Sequence, residues 1–206
     1  MFTRVRFILM LPVVLCFAIS AFAGTSVTGT NTISPTLVVN VTVAKAIQLT
    51  LATGSLGSTP CAVNAGGGGD YNMSFGTVDA LGISTPTCGA RFAPTTPGVT
   101  PSVYYADYQL TPIFTSQTVS TNTVSAYVSS NFAKSNLSVV QANTTPGSIA
   151  ALTAMSTSSG AQTSLATNAT SGTALTRYVG LSVAPTNGAS LTGADTATVT
   201  FTMTVQ

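Results

Sequence analysis

Residues 198–205 alternate without a break, Thr198, Thr200, Thr202 and Thr204 interleaving with Val199, Phe201, Met203 and Val205. Successive side chains of a strand point to opposite faces, whereas a helix would scatter these apolar positions around its axis. The pattern therefore predicts a half-buried strand with a threonine face to water. The same period runs through residues 37–43, where Leu37, Val39, Val41 and Val43 are apolar, and resumes at Ile47, Leu49 and Leu51. Lys45 falls in the apolar register between the two runs, flanked by Ala44 and Ala46. Burying an unpaired ammonium group is costly. A bend or bulge is expected there, or the end of one strand and passage to the other sheet.

Further strands are expected at residues 72–78, 102–114, 117–129, 137–142 and 175–183, with Tyr104, Ala106, Tyr108 and Leu110 on one face of the second. Glycine and proline clusters at residues 66–69, 93–98, 145–147 and 185–188 separate them. Residues 148–155 read as a helical turn or two, and residues 156–172 as a long low-complexity loop. Roughly seven to nine short strands in one domain predict an all-β, antiparallel immunoglobulin-like β-sandwich. A β-barrel is the alternative, since strand spacing alone does not separate the two.

The N-terminus carries an address. Arg4 and Arg6 precede an apolar stretch over residues 7–19, and Ala21-Phe22-Ala23 places small residues where a signal peptidase reads them. Residues 1–23 are expected to be a cleaved signal peptide, leaving residues 24–206 as a single secreted, extracellular or cell-surface domain. A run of about 13 apolar residues falls short of the ~20 that cross a bilayer. Cys16 follows Leu15 inside that run, which does not suit a lipidation site, and it leaves with the signal. No later segment is long and apolar enough to span a membrane, so no membrane span is expected after cleavage.

Cleavage also removes two of the six basic residues. Lys45, Arg91, Lys134 and Arg177 then balance Asp70, Asp79, Asp107 and Asp195. About 4% of the mature chain is charged, against ~25% in an ordinary globular domain. Nucleic acid as a partner requires several cations per site, and an anionic membrane surface requires a basic patch; neither is expected. Near-zero net charge favours self-association. Cys61 and Cys88 remain as an even pair, which in an exported chain predicts a disulfide.

Catalysis needs titratable groups in proximity, and this chain has no His and only four carboxylates, all Asp. Neither a serine or cysteine triad nor a paired-carboxylate motif is visible, so no enzyme and no cofactor is expected. The run Gly66-Gly67-Gly68-Gly69-Asp70 lacks the lysine and helix of a phosphate loop, and a single Asp is too few for calcium. It reads as a flexible loop. Tyr104 and Tyr108 could form a sugar-stacking platform, although alternate tyrosines on a strand are more often core or rim packing. Asn-x-Ser/Thr sequons at Asn40, Asn72, Asn136, Asn143 and Asn168 are expected by chance in so Ser- and Thr-rich a chain.

The signal peptide, the alternating N-terminal strand, the segment Met73-Ser74-Phe75-Gly76-Thr77-Val78 and the alternating C-terminal strand together resemble secreted bacterial pilin-like domains of the spore coat protein U and fimbrial-subunit group. The resemblance is one of layout over most of the mature chain. It implies a sandwich that assembles by adding a strand to a neighbour's sheet edge. The partner would be a second copy of the chain, helped by a periplasmic chaperone or an outer-membrane assembly protein. Candidate assembly strands are residues 25–34, carrying Val27 and Ile33, residues 37–43, and the C-terminal strand. The expected function is a structural subunit of an extracellular filament, pilus or surface coat. The alternative is a secreted adhesin or carbohydrate-binding module.

Overall fold

A computed structural model describes residues 40, 46–66, 70–115, 121–185 and 193–206. Every described strand belongs to one compact unit, Val43–Gln206. These strands are β1 (Ile47–Thr53), β2 (Asn64–Ala65), β3 (Tyr71–Asn72), β4 (Ala90–Phe92), β5 (Ser102–Phe114), β6 (Asn122–Ser130), β7 (Leu137–Ala142), β8 (Thr153–Ala154), β9 (Thr163–Thr167), β10 (Leu175–Val183) and β11 (Thr198–Val205). One sheet has the order β1-β5-β10-β7-β8, with β4 also on β5; a second has the order β11-β6-β9; β2 and β3 pair separately. All pairings are antiparallel and no sheet closes on itself. The chain is an all-β sandwich, not a barrel.

β5 is the axis of the larger sheet. Tyr108, Leu110 and Pro112 on its inner face meet β1, in the register Thr53–Tyr108, Leu51–Leu110 and Leu49–Pro112. Inner residues Tyr108 and Leu110 pack with Val124, Ala126 and Val128 of β6, Leu165 of β9 and Val139 of β7 in the main core. The outer face is buried as well over the first half of the strand. There Val103 and Tyr105 pack with Val140, Ala142, Tyr178 and Leu152, with Leu56, Phe92 and Ile149 over them. Phe92 stacks on Tyr105 with ring centroids 4.9 Å apart. Simple alternation does not anticipate this second layer, because the covering residues come from a loop (Leu56), from β4 (Phe92) and from a 3₁₀ turn, Ile149–Ala151.

Pro112 sits inside a strand without breaking it. Its carbonyl accepts the Gly172 amide at 2.8 Å, so its main-chain groups face the β10 side. The β10 ladder has already ended at Leu175–Leu110. The missing N–H therefore costs no ladder bond, the condition under which sheets tolerate proline.

Strands 102–114, 137–142 and 175–183 lie as the alternation predicts, and the C-terminal strand starts at Thr198. Other expectations are corrected. Of residues 72–78 only Asn72 is in a strand; Gly76 has φ +71°, and a Cβ there would lie 2.1 Å from Thr87 Oγ1, so the segment turns instead of extending. Strand β6 runs from Asn122 to Ser130, and residues 117–120 of the expected strand lie outside the described residues. The expected loop at residues 156–172 contains β9, which pairs with β6 before turning at Asn168 (φ 51°). No helix among the described residues is long and apolar enough to cross a membrane.

Candidate assembly site

Two edge strands border an incompletely covered flank of the core. Among the described residues β1 has one strand neighbour, β5, and β11 has one, β6. The opposite edge of the smaller sheet, β9, is tied towards β7 and β10. Asn143 Nδ2 donates to the Ser164 carbonyl at 3.0 Å, and Arg177 Nε crosses between sheets to the Leu165 carbonyl at 2.5 Å. β11 instead faces β5, where Phe201 meets Tyr108 edge-on at 6.0 Å. The β1 and β11 edges thus lie on the same flank. Leu49 and Leu51 of β1, and Val199, Phe201 and Met203 of β11, all pack against the main core, yet each is only half-buried. In a closed sandwich such inward residues would be fully covered. On the Thr face of β11, Thr198 and Thr204 are exposed, and Thr200 Oγ1 donates to Ser129 Oγ at 2.8 Å.

The sequence-predicted residues divide into three sets. Val199, Phe201, Met203 and Val205 lie on β11 at this flank, with Val205 opposite Asn122. Val27, Ile33, Leu37, Val39, Val41 and Val43 lie outside the described residues, as do the expected signal peptide, Lys45 and Gly67 to Gly69. Tyr104 and Tyr108 are in the core, 0% and 3% exposed. A stacking platform must present an open ring face, and neither ring has one. Burial pushes both phenols above their ordinary pKa, with the Arg177 guanidinium opposing it at Tyr108. Burial in turn lowers Arg177, whose charge is met by main-chain carbonyls at Leu165, Asn143 and Thr176.

The carboxylates hold loops. Asp79 accepts the amides of Leu81 (2.8 Å), Ile83 (3.0 Å) and Ser84. Tyr104 Oη donates to its Oδ2 at 3.2 Å, Ser102 Oγ donates to its carbonyl, and Arg91 Nη1 donates to the Ser84 carbonyl at 2.5 Å. Burial works against ionisation of Asp79, but the side-chain and backbone donors of Ser84 and the amides of Ile83 and Leu81 outweigh it and hold the carboxyl well below the usual range. The result fastens the loop 79–84 to the start of β5.

Asp107, 3% exposed, accepts the Ser55 and Leu56 amides at 2.8 Å each. It sits where the edge of β5 passes from β1, which ends opposite Tyr108, to β4, which begins opposite Tyr105. Asp195 accepts the Lys134 amide at 2.8 Å and lies 3.8 Å from Lys134 Nζ. Among the described residues no three His, Cys, Asp or Glu side chains are grouped to hold a metal. Sequence reading missed the Asp79 loop, although the order Asp79-Ala80-Leu81 carries the signal of an aspartate bonding its own backbone two residues on.

The predicted disulfide is present between Cys61 and Cys88, with Cα atoms 4.8 Å apart. Its sulfurs are buried with Ala106, and Phe75 packs both here and against Tyr104, Leu181 and Val183. The Phe75-Gly76 step is therefore a core plug followed by an obligatory turn. Compared with known protein families, curated proteins and solved structures, the chain matches none of them.

Proposed function

We propose that the chain is an exported structural subunit of an extracellular filament, pilus or surface coat, assembled by β-strand pairing between copies. The observation that carries this reading is the flank between β1 and β11, where two edge strands leave inward apolar side chains half-covered. A strand from a second copy laid along this flank would cover Leu49, Leu51, Phe201 and Met203, the physics of β-augmentation. Near-neutral charge removes the repulsion that keeps most domains apart. The layout resemblance to secreted pilin-like domains points the same way.

The test is direct imaging of the chain recovered from an exporting host. Fibres by negative-stain electron microscopy, and a ladder on gels that resists heat and detergent, are the expected result. A chain that sediments as a monomer at every concentration overturns the reading.

A further inference from the structure

The three strands of the smaller sheet, β11, β6 and β9, contain no acidic or basic residue. Asp195, the charge nearest to β11 in sequence, is already paired with Lys134 at 3.8 Å. Sheet edges are ordinarily guarded against other chains by charge, proline, a bulge or short length. β11 has 8 residues, no Lys and no Pro. The register shift beside it skips Ser129 of β6, so β11 itself runs without a bulge. The other edges differ. β8 has 2 residues, and β9 is crossed by the Asn143 and Arg177 side chains. β1 also alternates, but its apolar parity runs back in sequence to Lys45, a guard of the kind edges carry.

The pattern of β11 is its own complement. Laid antiparallel to a second β11 with Phe201 at the centre, Val199 falls opposite Met203 and Phe201 opposite its own copy. On the other face Thr198 falls opposite Thr204, and Thr200 opposite Thr202. Apolar side chains thus meet apolar ones towards the core, and each threonine meets a threonine. Aromatic pairs and Thr–Thr pairs are among those that stabilise antiparallel strands. Val199, Phe201 and Met203 are only half-buried, so a neighbour on this edge has apolar surface to cover. No charge on either strand has to be desolvated. A partner of another sequence would need the same period and the same neutrality, and a second copy supplies both.

We propose that β11 of one copy pairs antiparallel with β11 of a second, about a two-fold axis at Phe201. The two small sheets join into one, in the order β9-β6-β11-β11-β6-β9. Such a contact is isologous and closes on itself. The pair is therefore the building unit, and growth beyond it takes a second contact. This rests on the self-assembly reading above and names the strand that one copy offers another.

Thiol cross-linking of two full-length variants, Thr198→Cys and Thr204→Cys, tests it. Both positions are exposed, and thermal midpoints matching the parent establish that the variants fold. In the proposed register positions 198 and 204 of different copies lie directly opposite. Their Cα atoms are then about 4.5–5.5 Å apart, within the reach of a disulfide. Two copies of the same variant hold their new thiols six residues apart along the strands, roughly 20 Å. A mixture of the two variants should therefore oxidise to covalent pairs, with peptide mapping placing the bond between 198 and 204, and neither variant alone should do so. Polymers of the parent without that bond in the mixture overturn β11 pairing and leave assembly through another edge standing. A bond formed by either variant alone overturns the register and the two-fold axis. The expected bond in a parent that stops at dimers upholds the pairing and overturns the filament reading. A monomeric parent overturns both.

Discussion

Asp79 and Asp107 meet the cost of placing a carboxylate against the core in the same way, with main-chain amides and no cation. At Asp79 the depressed pKa carries a pH dependence with a definite sign. A carboxyl more acidic folded than unfolded contributes stability that is fully present above the ordinary Asp value and is lost as pH falls through and below it. The deficit of Asp79→Asn relative to the parent should therefore be largest near neutral pH and shrink below about pH 4; urea midpoints between pH 7 and pH 2 measure it. A deficit that stays constant across that range would mean the charge contributes nothing. Gly54 tests the other aspartate, because a Cβ there would lie 2.1 Å from Asp107 Cγ. Gly54→Ala should cost about 2 kcal/mol in chemical unfolding. Gly147→Ala, where nothing lies within 4 Å, is the matched control. The Asp107 partnership was not legible in the sequence, since its donors lie 51 and 52 residues away, whereas Asp79 bonds an amide two residues on.

At the scale of elements, legibility followed how much of a strand's partnership was written in its own alternation. Strands β5, β7 and β10 combine β-branched and aromatic residues with buried neighbours on both sides, and their limits coincide with the predicted ones. β9 is a five-residue strand, Thr-Ser-Leu-Ala-Thr, inside a Ser/Thr-rich stretch, and only its pairing to β6 gives it form. Residues 72–78 look strand-like one residue at a time, yet Gly76 requires a left-handed turn. The flank was half legible. The alternation in β1 and β11 was plain, but that both are edges among the described residues, on one side of the sandwich, is a property of topology. Phe201→Ala removes the ring that meets Tyr108 and should cost about 2 kcal/mol for a half-buried aromatic, less than the 3–5 of a fully buried one. The assembly proposed above requires that it also weaken association between copies. Calorimetry and sedimentation on the same preparation separate the two effects.

The molecule as a whole stands on very little charge. One ion pair, Lys134–Asp195, is formed among the described residues. Its cohesion comes from two packed sheets, a second apolar layer outside β5 and one covalent link. Joining residues 27 apart in sequence restricts the unfolded chain, and in the chain-entropy model contributes about 3.5 kcal/mol. The double variant Cys61→Ser/Cys88→Ser should accordingly melt roughly 7–14 °C lower, at 2–4 °C per kcal/mol for a chain of this size. A shift of only a degree or two in calorimetry would place the stability elsewhere. Moderate salt should leave the melting temperature nearly unchanged, because there are few charges for it to screen.

The seating of that disulfide has a kinetic consequence. Cys61 and Cys88 are 1% and 8% exposed, under Phe75 and beside Ala106. A reducing agent gains access only when this region parts, so thiol release acts as a clock for the opening of the native state. At high reductant the rate should level off, and that plateau reads how often this part of the native fold opens.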